Sequence, residues 1–265
     1  MGPLLLFLLG ILQGLTEFLP VSSSGHLVLA ERLMDVHPSL AVNVGLHAGS
    51  LVAIVFYYRR DLWTLALSLL PGPGKDARTT AENRTLAAHL ALATVATVPI
   101  ALVLRDPIEG LFAEPAAGRF LGLTFLMTAV LLVLTELVPR DREPGDLTWR
   151  SALLIGLVQG IAVFPGISRS GSTIAAALIL GLSSERAARF SFLLAIPIIG
   201  GASLLELPDL MGQFHIGHLL LGMAASIVAG LAALTLLVGL IRRRRFVWFA
   251  AYLVPLSLLC LIFNF

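Results

Sequence analysis

Glu17 follows Gln13 by one helical turn, and Ser22, Ser23 and Ser24 come next, directly before Gly25 and His26; far down the chain Ser168, Arg169, Ser170 and Thr173 form a second polar knot. Both groups interrupt strongly apolar sequence. A carboxylate at membrane depth costs on the order of 3 kcal/mol or more, so Glu17 is expected to have a function there. Gln13, four residues earlier, lies on the same face of the helix. Each serine cluster precedes a short apolar helix, and helix N-termini present unpaired N–H groups and the positive end of the dipole, an arrangement that favours phosphate. Arg169 adds a planar guanidinium that can grip a phosphate through two parallel hydrogen bonds. Together these residue types point to an anion site built for phosphate.

The two groups are copies of one another. Gly10 to His26 reads GILQGLTEFLPVSSSGH, and the segment beginning 146 residues later at Gly156 reads GLVQGIAVFPGISRSG. Laid over each other without a gap, they match at Gly10, Gln13, Gly14, Phe18, Ser22, Ser24 and Gly25, which recur as Gly156, Gln159, Gly160, Phe164, Ser168, Ser170 and Gly171. They differ where the first copy has Glu17, Ser23 and His26 and the second has Val163, Arg169 and Ser172. One copy contributes a carboxylate and an imidazole, the other a guanidinium.

Apolar residues make up 57% of the 265-residue chain and charged ones 13%, against roughly 25% charged in a soluble domain. The chain is therefore an all-α polytopic membrane protein. A spanning helix needs roughly 20 apolar residues, and six runs qualify, at about 41–58, 86–104, 119–138, 188–206, 216–241 and 246–264. The two repeated segments do not. Each has a short apolar helix, a break at Pro20 or at Pro165-Gly166, a serine-rich turn and a second short helix, Leu27 to Met34 or Ile174 to Leu182. That pattern suits a re-entrant helical hairpin, whose polar backbone is tolerated only inside protein or beside a water-filled cavity. The first twenty residues lack the positive n-region of a signal peptide and are expected to stay in the mature protein.

Each half is then one hairpin and three spans. Three crossings are odd, so the second half enters from the opposite side, which makes six transmembrane helices and two hairpins in an inverted-topology repeat. The whole of residues 1–265 is expected to form a single membrane domain, with a first repeat over about 1–138 and a second over about 151–265. This topology gathers Arg59, Arg60, Lys75, Arg78, Arg84, Arg140, Arg142, Arg150, Arg186, Arg189 and Arg242 to Arg245 on one side, against Arg32, Arg105 and Arg119 on the other. The excess marks the cytoplasm. The hairpin bearing Glu17 then enters from outside, and an extracytoplasmic active site follows. Arg242 to Arg245 is an anchor near anionic lipid rather than a nucleic-acid contact. Pro71 to Arg84 is a turn-rich cytoplasmic loop. Glu185 and Arg189 are spaced as a helical ion pair. His37 and His89 suit the membrane interface, and His215 and His218 an outer loop; His47, inside the first span, is within reach of the site but better suits a hydrogen-bonded place in the core. Cys260, the single cysteine, is a small core side chain.

At these motifs the chain resembles the undecaprenyl-pyrophosphate phosphatases of the bacitracin-resistance family. The family's first motif, Glu or Gln, three residues, then Glu, is met by Gln13 and Glu17 and runs on into PVSSSGH; its second, PGxSRSxxT, is met from Pro165 to Thr173; a family-like RFSFLLAIP follows at Arg189 to Pro197. The resemblance covers essentially the whole chain. It implies a bacterial plasma-membrane enzyme that takes the terminal phosphate from a polyprenyl pyrophosphate and regenerates the lipid carrier of cell-wall synthesis, with a divalent cation, Mg or Ca. It carries over Glu17, Ser23, His26 and Arg169 as the central set, with Gln13, Ser22, Ser168, Ser170 and Thr173 around them. Gln13 stands where many relatives have a second glutamate. On physical grounds Arg169 and the hairpin N-termini would hold the pyrophosphate. Glu17 would hold the metal or orient the attacking group, and Ser23 would attack while His26 moves the proton. A metal-bound water is the other candidate nucleophile.

Two other classes compete. The acid-phosphatase-like lipid phosphatases also carry SGH, but they need a histidine after SR and five further residues, where this chain has Ala175, and an upstream KxxxxxxRP that it lacks. A secondary transporter or lipid flippase shares the inverted-repeat plan, yet needs binding groups only, not a converging Ser, His, Glu and Arg. The expected partners are the polyprenyl pyrophosphate and the bilayer, with no nucleic acid; a homodimer is left open.

Overall fold

A computed structural model describes residues 2–36, 40–71, 76–114, 116–138, 145–206, 215–242 and 245–264. Among them no strand occurs. The helices in order are α1 (Pro3–Phe18), α2 (Ser23–Leu33), α3 (Leu40–Tyr57), α4 (Arg59–Leu69), α5 (Ala77–Ala113), α6 (Ala117–Leu134), α7 (Trp149–Ile161), α8 (Arg169–Ile179), α9 (Ser184–Glu206), α10 (Ile216–Arg242) and α11 (Val247–Phe263). His37, Lys75, Arg140, Arg142, Arg243 and Arg244 lie outside the described residues.

The six expected apolar runs fall on α3, α5, α6, α9, α10 and α11. Four of these, α5, α6, α9 and α10, are long and apolar enough to cross a bilayer, and α3 and α11 are shorter apolar helices. The chain is a multi-pass membrane protein. α1 has 16 residues, α7 has 13 and α11 has 17, which at 1.5 Å per residue gives about 24, 20 and 26 Å, all short of a hydrocarbon core of ~30 Å.

Several boundaries differ from expectation for local reasons. The second helices of the two broken pairs start at Ser23 and Arg169, not at Leu27 and Ile174, because Ser22 and Ser168 cap them and make the serine turns part of the helix. The loop expected up to Arg84 is already helical from Ala77. Asp76 caps it by accepting from the Thr79 N–H at 2.9 Å, and its bonds to Thr79 hold the Asp76 carboxyl below the usual carboxylate range. Where Arg59, Arg60 and Asp61 interrupt the apolar sequence, the chain forms α4 instead of a loop. Leu65 turns inward there, and the Arg189 guanidinium reaches Asp61 at 2.6 Å rather than serving only its own helix. His218 lies in the first turn of α10 rather than in a loop.

Helix pairing explains the repeated glycines. α1 lies against α10, α7 against α5, and α6 against α11. A Cβ on Gly10 would sit 2.2 Å from the Gly222 carbonyl oxygen and one on Gly14 2.4 Å from that of Ser226; on the other side a Cβ on Gly156 would sit 2.4 Å from the Ala93 oxygen. Gly160 faces Ile100 in the same way, at 2.7 Å. These are two small-xxx-small faces, the device by which helices approach closely in a bilayer where lipid tails leave little hydrophobic drive. The main apolar cluster draws on both halves of the chain, with Phe18 set edge-on to Phe192 at 6.1 Å.

Gly14→Ala forces a methyl into backbone and should cost about 1–3 kcal/mol, as overpacking does. Gly239→Ala, whose Cβ meets nothing within 4 Å, should be neutral or slightly stabilising. Thermal unfolding of the two variants in detergent checks this, and equal midpoints would refute the close-packing role.

Candidate active site

The two broken pairs meet tip to tip. The α2 turn begins at Ser22, held at φ 71°, a left-handed conformation that is strained for a residue with a side chain and is commonly found at functional sites. Its hydroxyl oxygen accepts from two N–H groups, Gly25 of its own turn at 3.3 Å and Gly166 of the other at 3.0 Å. On the opposite tip Ser168 accepts from Gly171 N–H at 3.1 Å, and the Ser170 hydroxyl donates across to the Leu19 carbonyl at 3.2 Å. Glycine is required at the junction: Gly166 has φ 91°, a Cβ there would lie 2.0 Å from Thr124 Oγ1, and a Cβ on Gly25 would lie 2.7 Å from the Gly166 nitrogen.

Between the tips lies a cavity of about 280 Å³ whose polar lining is Glu17, Ser22, Ser23, Ser24, His47, Ser168, Arg169 and Ser203. Glu17, at the end of α1, is buried and fully engaged. Arg169 Nη2 donates to its Oε1, the Ser23 hydroxyl donates to its Oε2, and Gln13 Nε2 donates to the same oxygen at 3.0 Å. Arg169 and Ser23 are the first residues of α8 and α2, so their own N–H groups, and those of the next residue in each helix, have no acceptor within the helix. An anion in this cavity meets a guanidinium, two helix N-termini and a hydroxyl whose proton is already shared with a carboxylate.

Of the nine residues expected at the site, Glu17, Ser22, Ser23, Ser168 and Arg169 line the cavity. The other four stand behind it. Gln13 is fully buried and also donates to Ser50 Oγ at 3.3 Å, which in turn lies 3.0 Å from Ser226 Oγ. Ser170 ties the tips together, as above. Thr173 donates to the Arg169 carbonyl at 2.8 Å and contacts the Ser191 hydroxyl, holding the first turn of α8. His26 has both ring nitrogens committed: Nδ1 lies 2.8 Å from the Ser22 carbonyl, which can only accept, so Nε2 accepts from the Tyr252 hydroxyl, also at 2.8 Å. Its ring stacks on Tyr252 and meets the edge of Phe125.

His47, for which the site is the less favoured of two expected places, is on the cavity wall. Nδ1 donates to the Asn43 carbonyl at 2.8 Å, and Nε2 stands 4.0 Å from Glu17 Oε2. The signal for it was a polar stripe, Asn43, His47 and Ser50, at helical spacing in an otherwise apolar span.

A family model described as bacitracin resistance protein BacA matches residues 6–259. The undecaprenyl-diphosphatase of Desulfosudis oleivorans is 42% identical over 271 residues, covering 95% of each chain. That of Desulfatibacillum aliphaticivorans is 40% identical, covering 97% of each, and that of Syntrophotalea carbinolica 42%, covering 92% of each. The match runs through both tips and every helix that holds them, and the chain belongs to the bacitracin resistance protein BacA family.

Proposed function

We propose that this chain is an undecaprenyl-diphosphatase, a membrane hydrolase that removes the terminal phosphate of a polyprenyl diphosphate and returns the lipid carrier of cell-wall synthesis as its monophosphate. The relatives' names support the substrate. One observation carries the chemistry: Glu17 and Ser23 of the first tip and Arg169 of the second are in direct contact inside one polar cavity.

Arg169 is held by Glu17. An incoming diphosphate offers the guanidinium a more highly charged partner, so binding draws Arg169 onto phosphate and frees Glu17 Oε1. The carboxylate, no longer neutralised, becomes a better acceptor for the Ser23 proton that its Oε2 already shares. Ser23 Oγ attacks the terminal phosphorus, the bond from that phosphorus to the bridging oxygen breaks, and polyprenyl monophosphate leaves. Water then hydrolyses the phosphoserine to inorganic phosphate and restores the hydroxyl. Arg169 and the first-turn N–H groups of α2 and α8 stabilise the charge that develops on the transferred group. In this scheme the proton goes to Glu17. His26 is assigned to positioning, since it fastens the Ser22 turn to α11 and presents no free nitrogen to the cavity.

A divalent cation, Mg or Ca, fits these residues in one way. Among the described residues no group of three or more His, Cys, Asp or Glu could hold an ion. Glu17, however, brings a carboxylate to the cavity wall, and Mg is commonly held by one or two carboxylates together with substrate phosphates. Glu17 would hold such an ion jointly with the diphosphate, where it would offset phosphate charge.

The breaks that divide α1 from α2 and α7 from α8 and the lopsided distribution of Arg and Lys support six spans with two re-entrant hairpins in an inverted repeat. The exchange of α1 onto α10 and α7 onto α5 supports one membrane domain over 1–265. The same charge bias supports a cavity facing outside the cytoplasm.

Three outcomes are expected. Purified Arg169→Ala should release phosphate from undecaprenyl diphosphate roughly 10²–10³ times more slowly than the parent, the range for losing one preorganised charge donor; a parent without release would end the hydrolase reading. Ser23→Ala should still bind the lipid while losing turnover, and near-normal turnover would transfer the attack to water. In a Cys260→Ser background, an impermeant maleimide should label Arg32→Cys on intact cells and Arg60→Cys only after lysis, and the reverse pattern would invert the topology.

A further inference from the structure

Toward the other end of α9 lies a second polar cavity, of about 610 Å³. Arg186, Arg189 and Phe190 of α9 line it, while Ala202 of the same helix lines the phosphate cavity, so at 1.5 Å per residue the two lie about 20 Å apart. The first turns of α5 bring Arg78, Glu82 and Leu86, and the lead-in to α7 brings Asp146 and Leu147. That lead-in is pinned, since the Gly145 N–H donates to the Gly181 carbonyl at 2.9 Å. Three guanidiniums thus share the space with two carboxylates. Arg186 donates to Asp146 at 2.8 Å and Arg78 to Glu82 at 3.1 Å. Both pairs are open to solvent, with side-chain exposures of 56% and 89% in the first and 89% and 65% in the second, and pairs so exposed hold weakly. A phosphate can therefore draw Arg78 and Arg186 to itself without stranding a buried charge.

Two tryptophans mark its depth. Trp149 stands two residues beyond Leu147, and Trp63 two beyond Asp61, which holds Arg189. They are 56% and 67% exposed, and tryptophan concentrates where a bilayer meets water. The cavity therefore lies among lipid headgroups, on the side of the membrane that carries most of the arginines. We propose that it seats the phosphate of an anionic phospholipid from the adjoining leaflet. The planar guanidinium fork matches phosphate oxygens in pairs, and Leu86, Leu147 and Phe190 give the glycerol and the first acyl carbons an apolar surface. With cations in excess among the lining groups, a lipid whose headgroup carries no compensating cation is the favoured guest. The site is distinct from the polybasic run that begins at Arg242, and it does not depend on the hydrolase reading.

Native mass spectrometry of the purified full-length protein, titrated with phosphatidylglycerol or with phosphatidylcholine of identical acyl chains, tests this. The parent should bind its first phosphatidylglycerol about tenfold or more tighter than phosphatidylcholine, the scale of two arginines at a charged surface, and Arg78→Gln combined with Arg186→Gln should bring the two lipids within about twofold. Ala81→Trp, at an exposed position of α5 that lines the cavity, keeps every charge but fills the space, and should erase the preference as well. Arg59→Gln combined with Arg60→Gln removes the same charge from the same side, away from the cavity, and should leave the preference intact. A parent without preference, a preference that survives in either cavity variant, or one lost equally with Arg59 and Arg60 would overturn the site. Displacement of the bound phosphatidylglycerol by millimolar inorganic phosphate would give the cavity to a free anion and overturn the lipid assignment.

Discussion

The ion pair between Glu17 and Arg169 is the constraint to which the rest of the structure answers. Each charge, taken alone into a low-dielectric interior, is costly, and breaking a buried pair by deleting one member leaves the other uncompensated, at a cost of about 3–5 kcal/mol. The partners come from opposite halves of the chain, so neither half can bury its own tip without the other. Everything that lets the tips touch follows from this. The helices carrying them break at the turns, and the glycine faces of α1 and α7 sink them against α10 and α5. The serines at the turns replace the backbone acceptors that a helix start lacks.

The repeat divides its labour accordingly. Positions identical in the two copies are scaffold: Gly10, Gly14, Gly156 and Gly160 set helix spacing, Gln13 and Gln159 bond to Ser50 and Thr97 on neighbouring helices, and Ser22 and Ser168 cap. Positions that differ carry the groups to which the proposed scheme gives the chemistry. Where the first copy has Glu17 the second has Val163, an apolar part of the cavity wall, and where the first has Ser23 the second has Arg169. A two-fold frame thus encloses a site that is not two-fold in its side chains, a carboxylate and a hydroxyl on one tip facing a guanidinium on the other.

Much of this was legible in the chain, and what was not had local causes. The apolar runs, the breaks at Pro20 and Pro165 and the meeting of Glu17 with Arg169 follow from composition and from the alignment of the copies. The starts of α2 and α8 were misplaced because a serine cluster looks like a turn until its cap is seen. α4 was hidden by three consecutive charges, since periodicity cannot say that Asp61 will be answered from another helix by Arg189. Among the histidines, side-chain type could not separate His26 from His47. The first is turned away by a hydroxyl 226 residues distant, on α11, and the second is turned in by a carbonyl on its own helix.

The double role of the Ser22 oxygen has a mechanical consequence. It satisfies one N–H in each tip, and the Ser170 hydroxyl makes the reciprocal link, so drawing the halves apart by even a bond length strands donors and acceptors in an interior where each unsatisfied group costs several kcal/mol. A rocking-bundle cycle, in which one repeat swings against the other to expose a site alternately to the two faces, would have to break these ties on every stroke. The seam is built as a weld, and it suits a protein whose substrate does the travelling.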